Sequence, residues 1–459
     1  MKRSIIHAFT QDFFMPRRNL FILFVVTLAS VLCYQRVQKT PYGRVFADAL
    51  ARISDTSLEP VKEPQLFEGA MDGMLHQLDE HSVYFPPDEV EGFDESLNLQ
   101  FAGIGIKIDV DRETRQLRVL SPLADTPASR AGIVAGDLIL GIDGATTVGM
   151  SRGYASNLLR GEAGKPVVLL IRHEHADAPK EITLVREVIQ IQSVLGDTQD
   201  AEGHWNFFLE GRDRIGYVRV SSFTDKTVDE LRQAVARLQS EGMRGLVLDL
   251  RDNPGGYLDA GIGVCNLFVK SGAIVSTRRR DGRVSKSYSA DGLAPFTDFP
   301  IAVLVNQETA SAAEIVAACL QDNRRAAVVG QRTYGKGTVQ EVIYLEQDCG
   351  AMKLTTASYW RPSGKNIHRL KNATANDAWG VSPDDGCKIA LDDDEFARWQ
   401  AWRADRDLPA AEKAEKPNAE NKKSEKPFVD RQLARAVERV EKKLRSERTE
   451  PRMNANERK

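Results

Sequence analysis

Cysteine is scarce in this chain: five residues in 459, scattered, with no framework of crosslinks to hold a fold. No excess of one charge appears either. Lysine and arginine number 62 against 65 acidic residues, a formal net charge of −3, and no basic stripe forms, so a nucleic-acid partner is not expected. An H-x-x-x-H pair and a cysteine cluster are both missing, so the chemistry should need neither metal nor cofactor. There is no G-x-S-x-G elbow, and His81, His173, His175, His204 and His368 sit in polar or turn sequence, read as solvated or locally hydrogen-bonded. A Ser-His-Asp hydrolase is therefore disfavoured. No long internal repeat is present.

Long apolar runs are rare, and one stands out. Leu20–Tyr34 is roughly fifteen mostly apolar residues, short for a membrane span and similar to the apolar part of an export signal. Lys2, Arg3, Arg17 and Arg18 precede it, no A-x-A site follows, and Cys33 lacks the small residue before it that a lipoprotein signal needs. The pattern predicts a cytoplasmic leader (residues 1–19) and an uncleaved signal anchor (20–34) with its N-terminus inside. The body would then lie in the periplasm of a bacterial cell envelope. A cleaved signal and a secreted protein are the alternative.

The remaining length suits two or three domains. Helical periodicity over Tyr42–Ile53 and Leu66–Leu78 gives a small N-terminal helical region, residues 41–95, read as packing or assembly. From residue 96 to 190 short strands alternate with short helices near Pro127–Ala131 and Arg152–Arg160. From 191 to 403 strand–helix alternation resumes with continuous apolar runs such as Leu246-Val-Leu-Asp-Leu250, which predict strands buried on both faces. A solvated linker, 404–427, rich in Ala, Glu, Lys, Asn and Pro, leads to an amphipathic helix and tail, 428–459, with Val429, Leu433, Val437, Val440 and Leu444 on one stripe. Cys265 and Cys319 read as small hydrophobes in helices; a bridge between Cys349 and Cys387 is left open.

Two stretches carry the chemistry. Thr309-Ala-Ser-Ala-Ala-Glu314 puts Ser311 where strand Ile301–Val305 turns into a helix, and Ser311-x-x-Glu314 also reads as a capping box. Tyr334-Gly-Lys-Gly-Thr-Val-Gln340 puts Lys336 between two glycines beside another strand. A serine at a helix start and a lysine that must shed its charge to be buried are the minimum parts of a Ser-Lys hydrolase. Ser311 would attack a carbonyl and neutral Lys336 would take its proton. Ala312, at the helix start, and Gly255 or Gly256, in the Asn253-Pro-Gly-Gly256 turn, offer backbone N–H groups to an oxyanion, with the choice of glycine open. Gln340 lies an even number of residues from Lys336, hence on the same side of a strand.

The surrounding motifs resemble the carboxyl-terminal processing (tail-specific) peptidases, from about Tyr42 to Leu391 with a faint return near Asp430–Glu438. They are Glu68-Gly-Ala-Met-Asp-Gly-Met-Leu…Leu78-Asp-Glu-His-Ser82, Phe101-Ala-Gly-Ile-Gly-Ile106, Pro127-Ala-Ser-Arg-Ala-Gly-Ile133, Asp249-Leu-Arg-Asp-Asn-Pro-Gly-Gly256, the two catalytic stretches, and Thr355-Thr-Ala-Ser-Tyr359…Pro362-Ser-Gly364. The resemblance implies an α/β fold: a crotonase- or Clp-protease-like catalytic core, an inserted PDZ-like domain, a small N-terminal helical region and a C-terminal helix. It implies a Ser-Lys serine endopeptidase acting on proteins with apolar C-terminal tails, with Gln340 orienting the amine and a homo-oligomer left open. In the PDZ-like domain, Phe101, Gly103, Ile104, Gly105 and Ile106 would hold the tail's carboxylate on backbone N–H groups while the strand edge adds the peptide. Two departures, Asp252 in place of the family's usual Asn and Asp385-Gly-Cys387 in place of an apolar strand, put local packing in question. The competing readings are a catalytically inactive PDZ scaffold and a crotonase-like acyl-CoA enzyme; the first would be favoured by loss of Ser311, Lys336 or Gln340, and the second explains neither the PDZ-like insert nor the export signal.

Overall fold

A computed structural model describes residues 17–37, 41–111, 115–123, 125–173, 176, 178–200, 203–212, 214–374, 376–409 and 428–449. Its contacts divide the chain after Leu78. The first unit is helical, with Arg17–Val37, Pro41–Thr56 and Glu63–Leu75, close to the expected periodic stretches. Phe21, Ile22, Leu23, Phe24, Val25 and Val26 are all exposed on the first helix. Among the described residues no helix is long and apolar enough to cross a membrane, so the expected span at 20–34 finds no support there.

In the second unit the expected continuous apolar strands form a five-stranded sheet. Its order is Val194–Leu195, Ile215–Val220, Gly245–Asp249, Ile301–Val305, Ala326–Gly330, parallel except for the first pair. Side chains alternate across it, as a two-residue period requires. Leu246 and Leu248 pack with helices Thr227–Ser240, Leu258–Phe268 and Ala312–Asp322 on one face. Val247, Ala302 and Leu304 face Ala436, Val437 and Val440 of the C-terminal helix Arg431–Thr449 on the other. The C-terminal helix is thus a layer of the core, not an appendage beyond a linker. Burying each of its two valines contributes about 1.5–3 kcal/mol. The helix Asp393–Arg406 runs past the expected core boundary at 403, and most of the predicted linker lies outside the described residues.

A second, antiparallel sheet lies beside the first. Its long strand Ala351–Trp360 pairs with Thr338–Tyr344, Ala273–Arg278 and the short Val83–Phe85. Strand Val83–Phe85 takes residues 79–85 out of the expected N-terminal helical region and into the catalytic body. Strands Leu117–Pro122 and Val284–Ser289 were not anticipated from the sequence. Asp385-Gly-Cys387 does not disrupt packing: Cys387 is buried, and the segment runs beside Gly330, whose N–H donates to the Cys387 carbonyl at 3.1 Å. Asp252 adopts φ 56°, a region Asn and Asp tolerate, and its carboxylate accepts from Asn306 Nδ2 at 2.6 Å. Cys265, Cys319, Cys349 and Cys387 are free thiols.

Between the strand Val83–Phe85 and the parallel sheet, in chain order, comes a small domain with its own core, built on Ile108, Leu117, Val119, Ile139, Leu169 and Ile171. Six strands make its main sheet, and helix Arg152–Leu159 buries Ala155 and Leu159 in the same core.

Candidate active site

Ser311 closes the turn that follows strand Ile301–Val305, immediately before helix Ala312–Asp322, with φ 55° and ψ −119°. A non-glycine residue there carries strain of order 1–3 kcal/mol and persists only where its surroundings hold it. They do. Thr309 Oγ1 donates to the Leu250 carbonyl at 2.8 Å, Ala310 N–H donates to the Asn253 carbonyl at 2.9 Å, and Tyr334 N–H donates to the Thr309 carbonyl at 3.0 Å. The serine turn is therefore tied both to the Asn-Pro-Gly-Gly turn and to the lysine loop.

The strongest tie is Glu314, fully buried on the first turn of the helix. One carboxylate oxygen accepts from Ser311 N–H at 2.9 Å and from Lys336 N–H at 2.8 Å. Both backbone nitrogens thus lie within about 6 Å of each other, given ordinary hydrogen-bond lengths. The other oxygen accepts from Thr333 Oγ1 at 2.5 Å and Gly335 N–H at 2.8 Å. Burial pushes the Glu314 carboxyl up to about 7 against these four hydrogen bonds, which favour the ionised form. The sequence suggested only a capping box. A glutamate inside Ala312-Ala-Glu-Ile-Val-Ala-Ala-Cys-Leu320, apolar at every other position, was the signal of something more.

Lys336 is partly buried. Burial first, then the positive charge of Lys353, lower its pKa from the ordinary lysine value, while Glu314 and Glu80 pull it back. His81 and His368 belong to the same neighbourhood. His81 is lowered by burial and by the charge of Lys336, and His368 by burial. His173 instead bonds Asp137 at 2.8 Å, His204 lies beside Asp200, and His175 lies outside the described residues.

The two glycines separate. Gly255 N–H is taken by Asn253 Oδ1 at 2.8 Å. Among the described residues the N–H groups of Gly256 and Ala312 have no hydrogen-bond partner. At Gly256, φ is 138° and an added Cβ would lie 2.2 Å from the Phe223 carbonyl oxygen, so no other residue fits. An added Cβ on Gly255 would lie 2.7 Å from Ser311 Cβ and 3.1 Å from Ala312 N, which places this turn directly against the serine.

Gln340 lies on strand Thr338–Tyr344. Its Nε2 donates to Thr338 Oγ1 at 2.8 Å and to Thr355 Oγ1 at 3.1 Å. The even spacing from Lys336 does not set the side Gln340 takes, because the strand begins only at Thr338 and its register shifts between Val339 and Gln340.

In the small domain, Phe101, Ile104, Gly105 and Ile106 line one pocket together with Ile108, Ser156, Leu159 and Arg160. Gly103 is not among them; it pairs with Glu187 in a two-stranded ribbon. Ile104 and Gly105 lie between strands, and among the described residues neither N–H has a partner. Gly105 has φ 76°, and an added Cβ would meet Thr126 at 2.4 Å. The Arg160 guanidinium sits 5.0 Å from the Phe101 ring centroid, a cation at the pocket that the sequence reading did not name.

Comparison with known proteins gives this arrangement a class. Residues 214–385 match peptidase family S41, and residues 118–173 match a PDZ domain. A serine-type peptidase carrying a PDZ domain is thereby defined. The carboxy-terminal-processing protease of Bartonella bacilliformis is 38% identical over 344 residues, covering 74% of this chain and 73% of that protein. The carboxyl-terminal-processing protease of Synechocystis is 36% identical, covering 71% and 72%. The photosystem II D1 C-terminal processing protease superposes with a TM-score of 0.43 at 29% identity, covering 76% of this chain and 93% of that one. The chain belongs to the carboxyl-terminal-processing proteases of family S41.

Proposed function

We propose that this peptidase cleaves proteins by a Ser-Lys dyad, Ser311 and Lys336, after capturing their free C-terminal tails in the pocket at Ile104–Gly105. The observation that carries the dyad is the shared acceptor Glu314, which ties the Ser311 backbone to that of a lysine whose pKa burial has lowered. In the reaction, neutral Lys336 Nζ takes the Ser311 proton as Oγ bonds the scissile carbonyl carbon, and the carbonyl becomes an oxyanion. The unpartnered N–H groups of Gly256 and Ala312 receive that charge without having to give up another bond. Lys336 then protonates the leaving amine, and water, activated by the same lysine, releases the acyl group. Gln340 orients the amine.

Tail capture is supported by two adjacent unpartnered amides, the apolar lining of Ile104, Ile106 and Leu159, and the Arg160 charge. A terminal carboxylate meets the amides, and the last apolar side chain enters the pocket.

The experiment compares Ser311→Ala, Lys336→Ala, Lys336→Arg and the double variant on one quenched peptide ending in free valine. All four should lose at least about a thousandfold in kcat, with the double no worse than the singles. Substantial turnover by Lys336→Ala would end the dyad reading. The cell-envelope location rests on the charged leader and the Leu20–Tyr34 run. External protease applied to spheroplasts should digest the body, and an N-terminal sequence beginning near Gln35 would show that the run is removed.

A further inference from the structure

The motif Leu78-Asp-Glu-His-Ser82 is used neither by the dyad nor by the tail pocket. Asp79 nevertheless starts a hydrogen-bonded relay that runs through Thr355 to Gln340, the residue proposed above to orient the Lys336 amine. Its carboxylate accepts from His81 N–H at 2.8 Å, Ser82 N–H at 3.0 Å, Ser82 Oγ at 2.9 Å and Thr355 Oγ1 at 3.1 Å. Partial burial raises the Asp79 carboxyl, but these donors outweigh it, and its pKa lies below the ordinary value. Ser82 Oγ in turn accepts from Thr355 N–H at 3.1 Å, so the turn grips Thr355 twice.

A carboxylate can only accept. Thr355 must therefore spend its one hydroxyl proton on Asp79, and toward Gln340 it can only accept as well. Whichever end of the Gln340 amide faces Thr355 at 3.1 Å has to be the NH₂ end. Thr338, the other neighbour at 2.8 Å, does not decide the matter, because an uncommitted hydroxyl can donate or accept. The register shift between Val339 and Gln340 is what sets Gln340 opposite Thr355 and lets the relay close. With NH₂ fixed on the threonine side, Oε1 is turned away from it.

We propose that Asp79 is a positioning residue: through Thr355 it fixes the polarity of the Gln340 amide so that Oε1, never NH₂, is offered to the Lys336 amine. An oxygen accepts an amine N–H and leaves the nitrogen lone pair aimed at the serine hydroxyl; an NH₂ in its place would compete for that lone pair. The inference rests on the dyad reading and on the role proposed there for Gln340, and deepens both. The charged and titratable groups around Lys336 are Lys353, Glu314, Glu80, His81 and His368; none of these is altered, but Asp79→Ala removes a charge that acts on both histidines, so the pH limb is read from Thr355→Val, which changes no charge.

The test uses the full chain, the same quenched peptide ending in free valine, and complete pH profiles. Thr355→Val leaves the Asp79 turn intact but removes the acceptor, while Thr355→Ser keeps it. Thr355→Val and Asp79→Ala should each lower plateau kcat about tenfold with KM within about twofold, and Thr355→Ser should stay near wild type. Loss of the Oε1 acceptor also disfavours the ammonium form, so the ascending limb should move to lower pH. A merely structural defect would not shift it. Gln340→Glu supplies the decisive arm. Beside an intact Asp79, the introduced carboxylate faces an oxygen with no proton to give, and the variant should be impaired. Adding Asp79→Ala frees the threonine proton to bond that new carboxylate, so the double variant should exceed either single. A double worse than both singles, or a Thr355→Val variant with normal kcat and limb, overturns the relay. Turnover by Lys336→Ala would instead overturn the dyad, so the two failures are distinguishable.

Discussion

Both the serine corner and the proposed tail pocket present two backbone N–H groups that have no partner among the described residues, and both rely on a glycine at positive φ, yet they are built in opposite ways. At the serine, everything around the free amides is tied down. Ser311 is strained, Glu314 holds four donors, and Asn253 secures the turn. In the pocket, Ile104–Gly105 is anchored mainly through Ala128 N–H and Leu123 N–H, which donate to its two carbonyls at 3.0 and 2.8 Å, while both residues line a cleft shared with apolar side chains, Ser156 and Arg160. The first arrangement suits a charge that appears in one place at one moment; the second suits a peptide that is held while its sequence varies. Substitutions should therefore act on kcat in the first region and on KM in the second.

The largest break should come from Glu314→Ala. It leaves buried donors from Ser311, Thr333, Gly335 and Lys336 without an acceptor, so activity should fall at least about a hundredfold and stability by about 3 kcal/mol or more, read by peptide turnover and urea unfolding. Gly256→Ala forces a Cβ against the Phe223 carbonyl and misplaces one oxyanion donor; kcat should drop about a hundredfold with KM little changed. A KM effect instead would erase the contrast between the two regions.

The lysine sharpens it further. With neutral Lys336 as the proposed base, kcat/KM should rise with pH through a limb centred below the ordinary value of about 10.4. Lys353→Met removes the neighbouring positive charge, stabilises the ammonium form, and should move that limb to higher pH. An unmoved limb would assign the titration to another group. The smallest effect belongs to the pocket. Gly105→Ala, with its Cβ on Thr126, should raise KM about tenfold for the acid-ended peptide while kcat holds. Amidating the peptide should raise KM to a similar degree in the wild type, and the two changes together should cost little more than one.

What could be read from the sequence follows the range of each interaction. Ser311, Lys336 and the alternating sheet strands are local patterns, with apolar periodicity meeting glycine and serine punctuation, and the structure places them in corresponding elements. What stayed hidden depends on pairing across distance. Val83–Phe85 finds its partner at Ala351–Lys353, and nothing in three residues announces that. Glu314 looked like a helix cap because its other three donors, from Thr333, Gly335 and Lys336, arrive from a loop about twenty residues further along the chain. The choice between Gly255 and Gly256 turned on one side-chain oxygen, that of Asn253.

The docked C-terminal helix bears on when the enzyme comes into being. Arg251, at the head of the turn leading to Gly256, is fully buried between Asp249 at 2.6 Å and Asp430 at 2.9 Å, with Gln432 at 3.1 Å. Two of those partners arrive only with the final helix, as do the valines that close the sheet's second face. A nascent chain still on the ribosome thus has its serine and lysine long before it has the support beneath its oxyanion turn.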